Sequence, residues 1–257
     1  MESVRPNKVF EKIKSGATAL NGWMSLGSAS IAEIMAHAPW DSLTIDMQHG
    51  FASSDTTLNM LRAISTTEVT PMVRVPWLDP AVIMRVLDAG AYGIICPMVS
   101  TAGQARELVN AARYSPLGAR SFGVTRANLY AGAEYWRVAN ERVLVFAMIE
   151  TRQAVDNLEE ILAVDGLSGV YIGPSDLSLS FGFDPLKDLA HPEVLAIIDM
   201  IKGAADKAGR FTAMHCTQLD YARLMMPRRF ALMTVSNDSR MLAMSQDRIL
   251  REVRGKG

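Results

Sequence analysis

The sequence predicts an α/β fold, a (β/α)8 barrel that takes up residues 1–257 as a single domain. Three observations lead there. From Asn21 onward, short β-rich apolar runs alternate with longer segments of helical periodicity, the pattern that builds parallel sheets from βαβ units. Eight such pairs can be counted. A length of about 250 residues is usual for a barrel of eight pairs, and a doubly wound open sheet, though written in the same alphabet, does not call for that count.

The pairs run in order. Strand 22–26 leads to helix 29–38, strand 42–48 to helix 55–65, strand 71–75 to helix 80–88, and strand 93–98 to helix 101–114. Strand 143–149 leads to helix 151–164, strand 169–172 to helix 192–208, strand 211–215 to helix 218–226, and strand 231–235 to helix 236–254. Two helix starts are marked by proline: Pro80 after Asp79 and Pro192 after His191 stand where a missing N–H does no harm. The long connection 115–140 carries Gly118, Arg120, Gly123, Arg126, Tyr130 and Trp136, and is expected to act as a lid or part of a site, or more plainly as a subunit contact. No repeat, linker or low-complexity tract interrupts the pattern.

Composition excludes several classes. With 49% hydrophobic and 21% charged residues the chain can fill a large core, so disorder is excluded as its main state. A net charge of −1 leaves no basic stripe for a phosphate backbone, which argues against nucleic acid. Cys96 and Cys216 lie far apart in apolar runs and suggest neither a disulfide framework nor a zinc site, which fits a reducing cytoplasm. Residues 1–14 are charged and lack the roughly 7–15-residue apolar stretch of a signal peptide. No apolar run of roughly 18 residues occurs, so no membrane span is expected. Neither GxGxxG after the first strand nor GxxxxGK[ST] is present, which removes support for dinucleotide and P-loop phosphate binding.

In a barrel the active site lies at the C-terminal strand ends. Polar residues gather there: Trp23 on strand one, Asp46 and His49 on strand two, Arg74 on strand three, Glu150 on strand five, and Gly173-Pro174-Ser175-Asp176 after strand six. Bare burial of such charges costs several kcal/mol, so they must be paired or bind something. Glu150 and Asp176, on adjacent strand ends, suit a hard divalent cation with water and substrate oxygens in its open positions. A plainer role for each is capping a helix or pairing with an arginine such as Arg152. Arg74 can hold a carboxylate or oxyanion through its donor fork, pair with Asp46, or both. His49 faces a glycine-started loop, and Asp88, closing helix 80–88, is placed to orient it or a water that it activates. Residues 173–176 open a loop whose amides can cradle an anion. His215, with Cys216, ends strand seven and reads as a polar pocket wall. None of Lys8, Lys12, Lys14, Lys187, Lys202, Lys207 and Lys256 falls on a strand, which argues against Schiff-base chemistry.

At these residues the sequence resembles the HpcH/HpaI aldolases, class II pyruvate aldolases that include 4-hydroxy-2-oxoheptanedioate and 2-dehydro-3-deoxyglucarate aldolases. The likeness covers nearly the whole chain. It is carried by Gly22-Trp23, Ile45-Asp46-Met47-Gln48-His49, Val73 through Pro80, Pro97-Met98-Val99, Met148 through Arg152, and Ile172 through Leu177. The resemblance implies a (β/α)8 barrel whose last helix swaps between neighbours in a homo-oligomer, a hexamer or trimer. It implies Mg²⁺, Mn²⁺ or Co²⁺ on Glu150 and Asp176, an enolate stabilised by Arg74, and a carboxylate held by the amides of Gly173 and Ser175 beside Pro174. His49 with Asp88 would do acid/base work through a water, and Trp23 and Asp46 would complete the pocket. The implied substrates are 4-hydroxy-2-oxo acids, cleaved to pyruvate or a related 2-oxo acid and an aldehyde. Two positions depart from the pattern: Met148 stands where a glutamine is usual, and Met226 through Phe230 replaces a glycine-containing approach to strand eight.

Two other readings use the same barrel. A citramalyl- or malyl-CoA lyase-like enzyme would need a basic groove for coenzyme A, for which Arg120 and Arg126 are the candidates. A catalytically silent 2-oxo-acid-binding barrel would show broken site residues, and none is broken.

Overall fold

A computed structural model of the chain describes residues 4–255; residues 1–3 and 256–257, with Lys256, lie outside the described residues. Eight strands follow one another: Ala19–Met24 (β1), Ser42–Asp46 (β2), Thr70–Arg74 (β3), Gly93–Cys96 (β4), Leu144–Ile149 (β5), Gly169–Ile172 (β6), Phe211–His215 (β7) and Leu232–Asn237 (β8). All neighbours are parallel and β8 pairs back onto β1, so the sheet closes in sequence order. The expected barrel is the observed one.

The helices are Lys8–Lys14 (α1), Ala29–Ala36 (α2), Ser54–Ile64 (α3), Pro80–Asp88 (α4), Ala102–Ala112 (α5), Arg126–Ala131 (α6) and Tyr135–Arg142 (α7). They continue with Arg152–Asp156 (α8), Leu158–Leu162 (α9), Pro174–Ser180 (α10), Pro192–Lys207 (α11), Leu219–Met225 (α12) and Asp238–Val253 (α13). Both proline-marked starts hold. Asp79 accepts from the N–H groups of Ala81 and Val82 at the head of α4, and the His191 ring accepts from Glu193 at the head of α11, which gives His191 a structural task.

Besides adding α1 and starting β1 at Ala19, the structure departs from the sequence reading in three segments. Segment 151–164 is two helices, because Asn157 ends α8 and starts α9 while its side chain donates to Ser100 O at 2.8 Å. Residues 173–176 do not open a loop: Gly173 caps α10 and Pro174 is its first residue. The connection 115–140 holds α6 and α7. It also joins the end of α5 to the start of β5, and in a parallel barrel that places it at the N-terminal face, opposite the catalytic end. It therefore cannot be a lid over its own barrel's mouth. The subunit-contact reading is compatible with this position.

Two apolar layers hold the barrel. Inside, Trp23, Met72, Ile95, Phe146, Met148 and Tyr171 interdigitate, and Val9 and Ile13 of α1 pack into the same cluster. Burying a side chain of that size contributes about 1.5–3 kcal/mol, so the short, charged α1 is held by two residues rather than by its helix propensity. Outside, strand residues such as Ile45, Val73, Ile94, Val145 and Ile172 meet the helices. At Gly169 the barrel wall closes tightly: a Cβ there would stand 2.0 Å from the Phe211 carbonyl oxygen.

Candidate active site

Three of the expected residues form one buried unit. Asp46 and Arg74 are register partners at the ends of β2 and β3. Arg74 Nε donates to Asp46 Oδ1 at 2.9 Å and Nη2 to Oδ2 at 2.7 Å, a two-pronged pair. Trp23 Nε1 donates to Asp46 Oδ2 at 3.2 Å, and the guanidinium lies 4.8 Å from the centroid of the Trp23 ring. Burial works against ionisation of Asp46, yet Arg74, the Gln48 N–H and Trp23 outweigh it and hold the carboxyl below its usual range. The pair is thus ionised, and Arg74 Nη1 donates to no group among the described residues.

The loop after β2 wraps the same carboxylate: Gln48 and His49 both donate their backbone N–H to Asp46 Oδ1, at 3.0 and 3.3 Å. A Cβ at Gly50 would stand 2.3 Å from Asp46 O, so only glycine allows this turn. It leaves the His49 imidazole exposed at the mouth. Asp88 is not beside it. As the last residue of α4, Asp88 sits at the opposite end of the barrel, where Oδ1 accepts from Arg120 Nη2 at 2.7 Å. The structure therefore does not bring His49 and Asp88 together within one chain.

Across the mouth, Ile149 and Ile172 are register partners, so Glu150 and Asp176 leave adjacent strand ends. Glu150 is buried and its Oε1 accepts from Met98 N at 2.7 Å. Met98 reaches that position with φ +57°, a left-handed conformation costing a non-glycine residue about 1–3 kcal/mol. A Cβ at Gly173 would stand 2.5 Å from Glu150 Oε2, so glycine leaves room for the carboxylate. Burial is the largest influence on Glu150. Opposed by the Met98 N–H, reinforced by the charge of Asp176 and opposed again by Arg74, it brings the pKa up to about 7. Asp176 is exposed. Neither carboxylate caps a helix or enters an ion pair among the described residues, and Arg152 stacks on Phe181 instead.

This donor set fits a hard divalent cation: two carboxylates, one of them buried, raised in pKa chiefly by that burial and without an ion-pair partner among the described residues. No group of three or more His, Cys, Asp or Glu suited to a metal occurs among the described residues, so the protein offers the cation two carboxylates. Beside the pair, Gly173 N donates to Ile149 O at 3.3 Å and Pro174 has no N–H, so the amides of the first turn of α10 left for an anion are those of Ser175 and Asp176. Met148 is buried against this corner and offers no hydrogen bond to it.

Sequence reasoning missed Met98, whose N–H is the hydrogen-bond partner of Glu150. The only signal was the Pro97-Met98-Val99 run. It also missed the polar chain linking His215 to Tyr171 and Thr234. The two arginines considered for coenzyme A are committed elsewhere: Arg120 is buried against Asp88 and the rings of Tyr114 and Tyr135, and Arg126 donates to Ala89 O, Leu61 O and Ser65 Oγ. Among the described residues no strand carries a lysine. A groove of about 660 Å³ lies beside Arg106, Glu107, Glu160 and Asp165, lined by residues of α5 and of the end of α9. It holds none of the groups just described.

Among relatives, a hydroxypyruvate/pyruvate aldolase of Rhizorhabdus wittichii is 41% identical over 96% of this chain and 99% of its own. A 4-hydroxy-2-oxo-heptane-1,7-dioate aldolase of Salmonella typhimurium is 40% identical over 75% of this chain and 74% of its own. The crystal structure of an HpcH/HpaI aldolase/citrate lyase family protein from Burkholderia cenocepacia superposes with a TM-score of 0.89 at 32% identity, covering 96% of this chain and 99% of that one. Residues 21–226 match the family itself, from β1 to the end of α12. With its barrel, its strand-end carboxylates and the Arg74–Asp46 pair, the chain belongs to the HpcH/HpaI aldolase/citrate lyase family.

Proposed function

We propose that the protein is a divalent-metal-dependent aldolase, a carbon–carbon lyase that cleaves 4-hydroxy-2-oxo acids to pyruvate or a related 2-oxo acid plus an aldehyde. The observation that carries this reading is Glu150, a buried carboxyl with no cationic partner, held at about pKa 7 across the mouth from an arginine with a free donor. Glu150 and Asp176 would hold a divalent cation (Mg²⁺, Mn²⁺ or Co²⁺), which would supply Lewis-acid polarisation of the 2-oxo group.

The chain's own groups do the rest. The Ser175 and Asp176 amides hold the substrate carboxylate beside Gly173 and Pro174. A water held by His49 takes the proton of the 4-hydroxyl, the C3–C4 bond breaks, its electron pair passes into the enolate, and the aldehyde leaves. Arg74 Nη1 donates to the enolate oxygen, and that bond strengthens as negative charge develops. Asp46 fixes the guanidinium and Trp23 covers its face. A proton returned to C3 completes pyruvate. Since His49 and Asp88 lie at opposite ends of one barrel, a pairing between them joins two copies of the chain.

Assembly as a homo-oligomer, a hexamer or trimer with α13 docked on a neighbour, has support in α13 itself. Its only buried residue is Asp238, and Leu242, Ile249, Leu250 and Val253 stand exposed at roughly helical spacing. We read residues 1–257 as one domain working in the cytoplasm on small molecules, with neither nucleic acid nor membrane as partner; no helix among the described residues is long and apolar enough to cross a membrane.

The test is pyruvate release from 4-hydroxy-2-oxo acids, coupled to lactate dehydrogenase, after EDTA treatment and resupply of Mg²⁺, Mn²⁺ or Co²⁺. Activity that returns only with metal and is lost in Glu150→Ala and Asp176→Ala is expected. Activity indifferent to EDTA defeats the metal assignment.

A further inference from the structure

Strand β7 ends on His215, which the reaction as described leaves without a task. Its ring stands edge-on to Trp23, with centroids 4.6 Å apart, and Trp23 carries the Arg74 guanidinium on its face. The imidazole therefore borders the same floor as the enolate-stabilising arginine. Its Nδ1 lies 3.1 Å from Tyr171 Oη, which lies 2.6 Å from Thr234 Oγ1. Asn21 Nδ2 donates to that threonine oxygen at 2.8 Å, and Asn21 Oδ1 accepts from Ser42 Oγ and Thr44 Oγ1 at 2.8 and 3.0 Å. Six buried or half-buried groups from β1, β2, β6, β7 and β8 thus form one chain.

The chain has a direction. With its acceptor oxygen taken by two hydroxyl protons, the Asn21 amide must donate to Thr234. Among the described residues the Thr234 hydroxyl has Tyr171 as its only other polar partner, so its own buried proton has to point at Tyr171 Oη. Tyr171 then passes its proton to His215 Nδ1. The reverse direction would leave the Thr234 proton buried with no acceptor. His215 Nδ1 is consequently an acceptor, and the ring proton sits on Nε2. Among the described residues that nitrogen has no protein partner, and the half-buried ring stands at the mouth, where β7 ends. Burial first, and then the charge of Arg74, hold the imidazole down to about 3 against the opposing pull of Asp46, so the ring is neutral at physiological pH.

We propose that His215 is a specificity-determining residue, whose neutral Nε2–H donates to a hydroxyl oxygen borne by the substrate next to its reacting carbons. This rests on the aldolase reading. A single neutral donor suits an uncharged oxygen better than it suits the carboxylate head, for which the α10 amides are placed, or the enolate oxygen, which Arg74 takes. A substrate lacking that hydroxyl desolvates the N–H without pairing it, so the pocket ranks hydroxylated substrates above their unsubstituted analogues.

Two measurements test this. Selective ¹⁵N-histidine NMR at pH 7 should find His215 with its proton on Nε2, and Tyr171→Phe should perturb that signal; a proton on Nδ1, or a charged ring, overturns the assignment whatever the activity. In aldol additions, His215→Leu is compared with His215→Gln, whose amide can restore a donor, on hydroxypyruvate against pyruvate and glycolaldehyde against acetaldehyde. His215→Leu should lower kcat/KM about tenfold on one hydroxylated member, mainly through KM, and change the unsubstituted analogue less than about twofold. His215→Gln should recover most of the loss, and the pair that responds tells whether the oxygen belongs to the 2-oxo acid or to the aldehyde. Equal losses on both members of each pair, or no loss at all, overturn the proposal. A wild-type protein silent on all four defeats the aldolase reading itself, whereas an Nδ1–H tautomer with aldol activity intact defeats only the role of His215.

Discussion

Glu150 makes the metal-free protein sensitive to pH in a way that can be measured. Its carboxyl is held at about 7, against 4.5 for the unperturbed group. Since the cation takes the ionised form, metal affinity follows the ionised fraction, roughly nine-tenths at pH 8 and one-tenth at pH 6. The Kd for Mn²⁺ should therefore rise about tenfold between those pH values, where an ordinary carboxylate would leave it almost flat. Stability carries the same signature. A group whose folded pKa is raised contributes stability that is present in full below about pH 4.5 and is lost as pH climbs through about 7, here on the order of 3 kcal/mol. EDTA-treated protein should accordingly show a lower urea midpoint at pH 8 than at pH 5.5, Mn²⁺ should restore it at pH 8, and Glu150→Gln should flatten the difference. Calorimetric titration with Mn²⁺ and urea unfolding followed by circular dichroism read the two effects. A Kd that is constant from pH 8 to pH 6, or a Glu150→Gln variant with the wild-type pH dependence, would refute the reasoning.

Other substitutions test neighbouring parts of the site. Arg74→Lys keeps a positive charge beside Asp46 but gives up the two-pronged pair and the free Nη1. Steady-state kinetics should show kcat down about 10²–10³-fold with the far-ultraviolet spectrum unchanged. In Gly173→Ala the new methyl would meet Glu150 Oε2 at 2.5 Å and Met148 Cε at 2.7 Å. Metal affinity should fall at least tenfold by calorimetric titration, while substitution of Gly203, which has open space around it, should leave it alone. A charge on the exposed face of α13, as in Leu242→Glu with Val253→Glu, should lower the sedimentation coefficient of the assembly without loss of secondary structure; an unchanged coefficient would count against the docked helix.

Some of this was legible in the linear sequence because it is written locally. Strands 169–172 and 211–215 and helix 80–88 match the observed elements, since an apolar run bounded by polar residues, or a proline after a capping aspartate, needs no distant partner to be read. Glu150, Arg74 and Asp46 were legible for a similar reason, each being a charge at the end of an apolar strand, and Asp176 follows such a strand in the first turn of α10. Elements without a start signal were not. Neither α6 nor α7 has a side-chain cap, and α10 begins with the Gly-Pro-Ser sequence of an ordinary turn. Asn157, read as part of one long helix, divides two because its amide is bound to Ser100 on the preceding βα turn.

The relations that depend on closure lie further out of reach. Tyr171, His215, Thr234 and Asn21 are as much as 213 positions apart, and they share hydrogen bonds only because β8 returns to β1 and the side chains of five strands meet inside one ring. The direction of that chain of protons depends on all its members at once, so no single residue type announces it. Asp88 shows the same limit from the other side. Its place at the end of a helix following β3 looked close to His49 when position was judged along the chain, yet every helix in a parallel barrel returns to the opposite face before the next strand begins. A residue at a strand end and a residue at a helix end are therefore separated by the height of the barrel, and a chemical partnership between them has to be sought between copies of the chain.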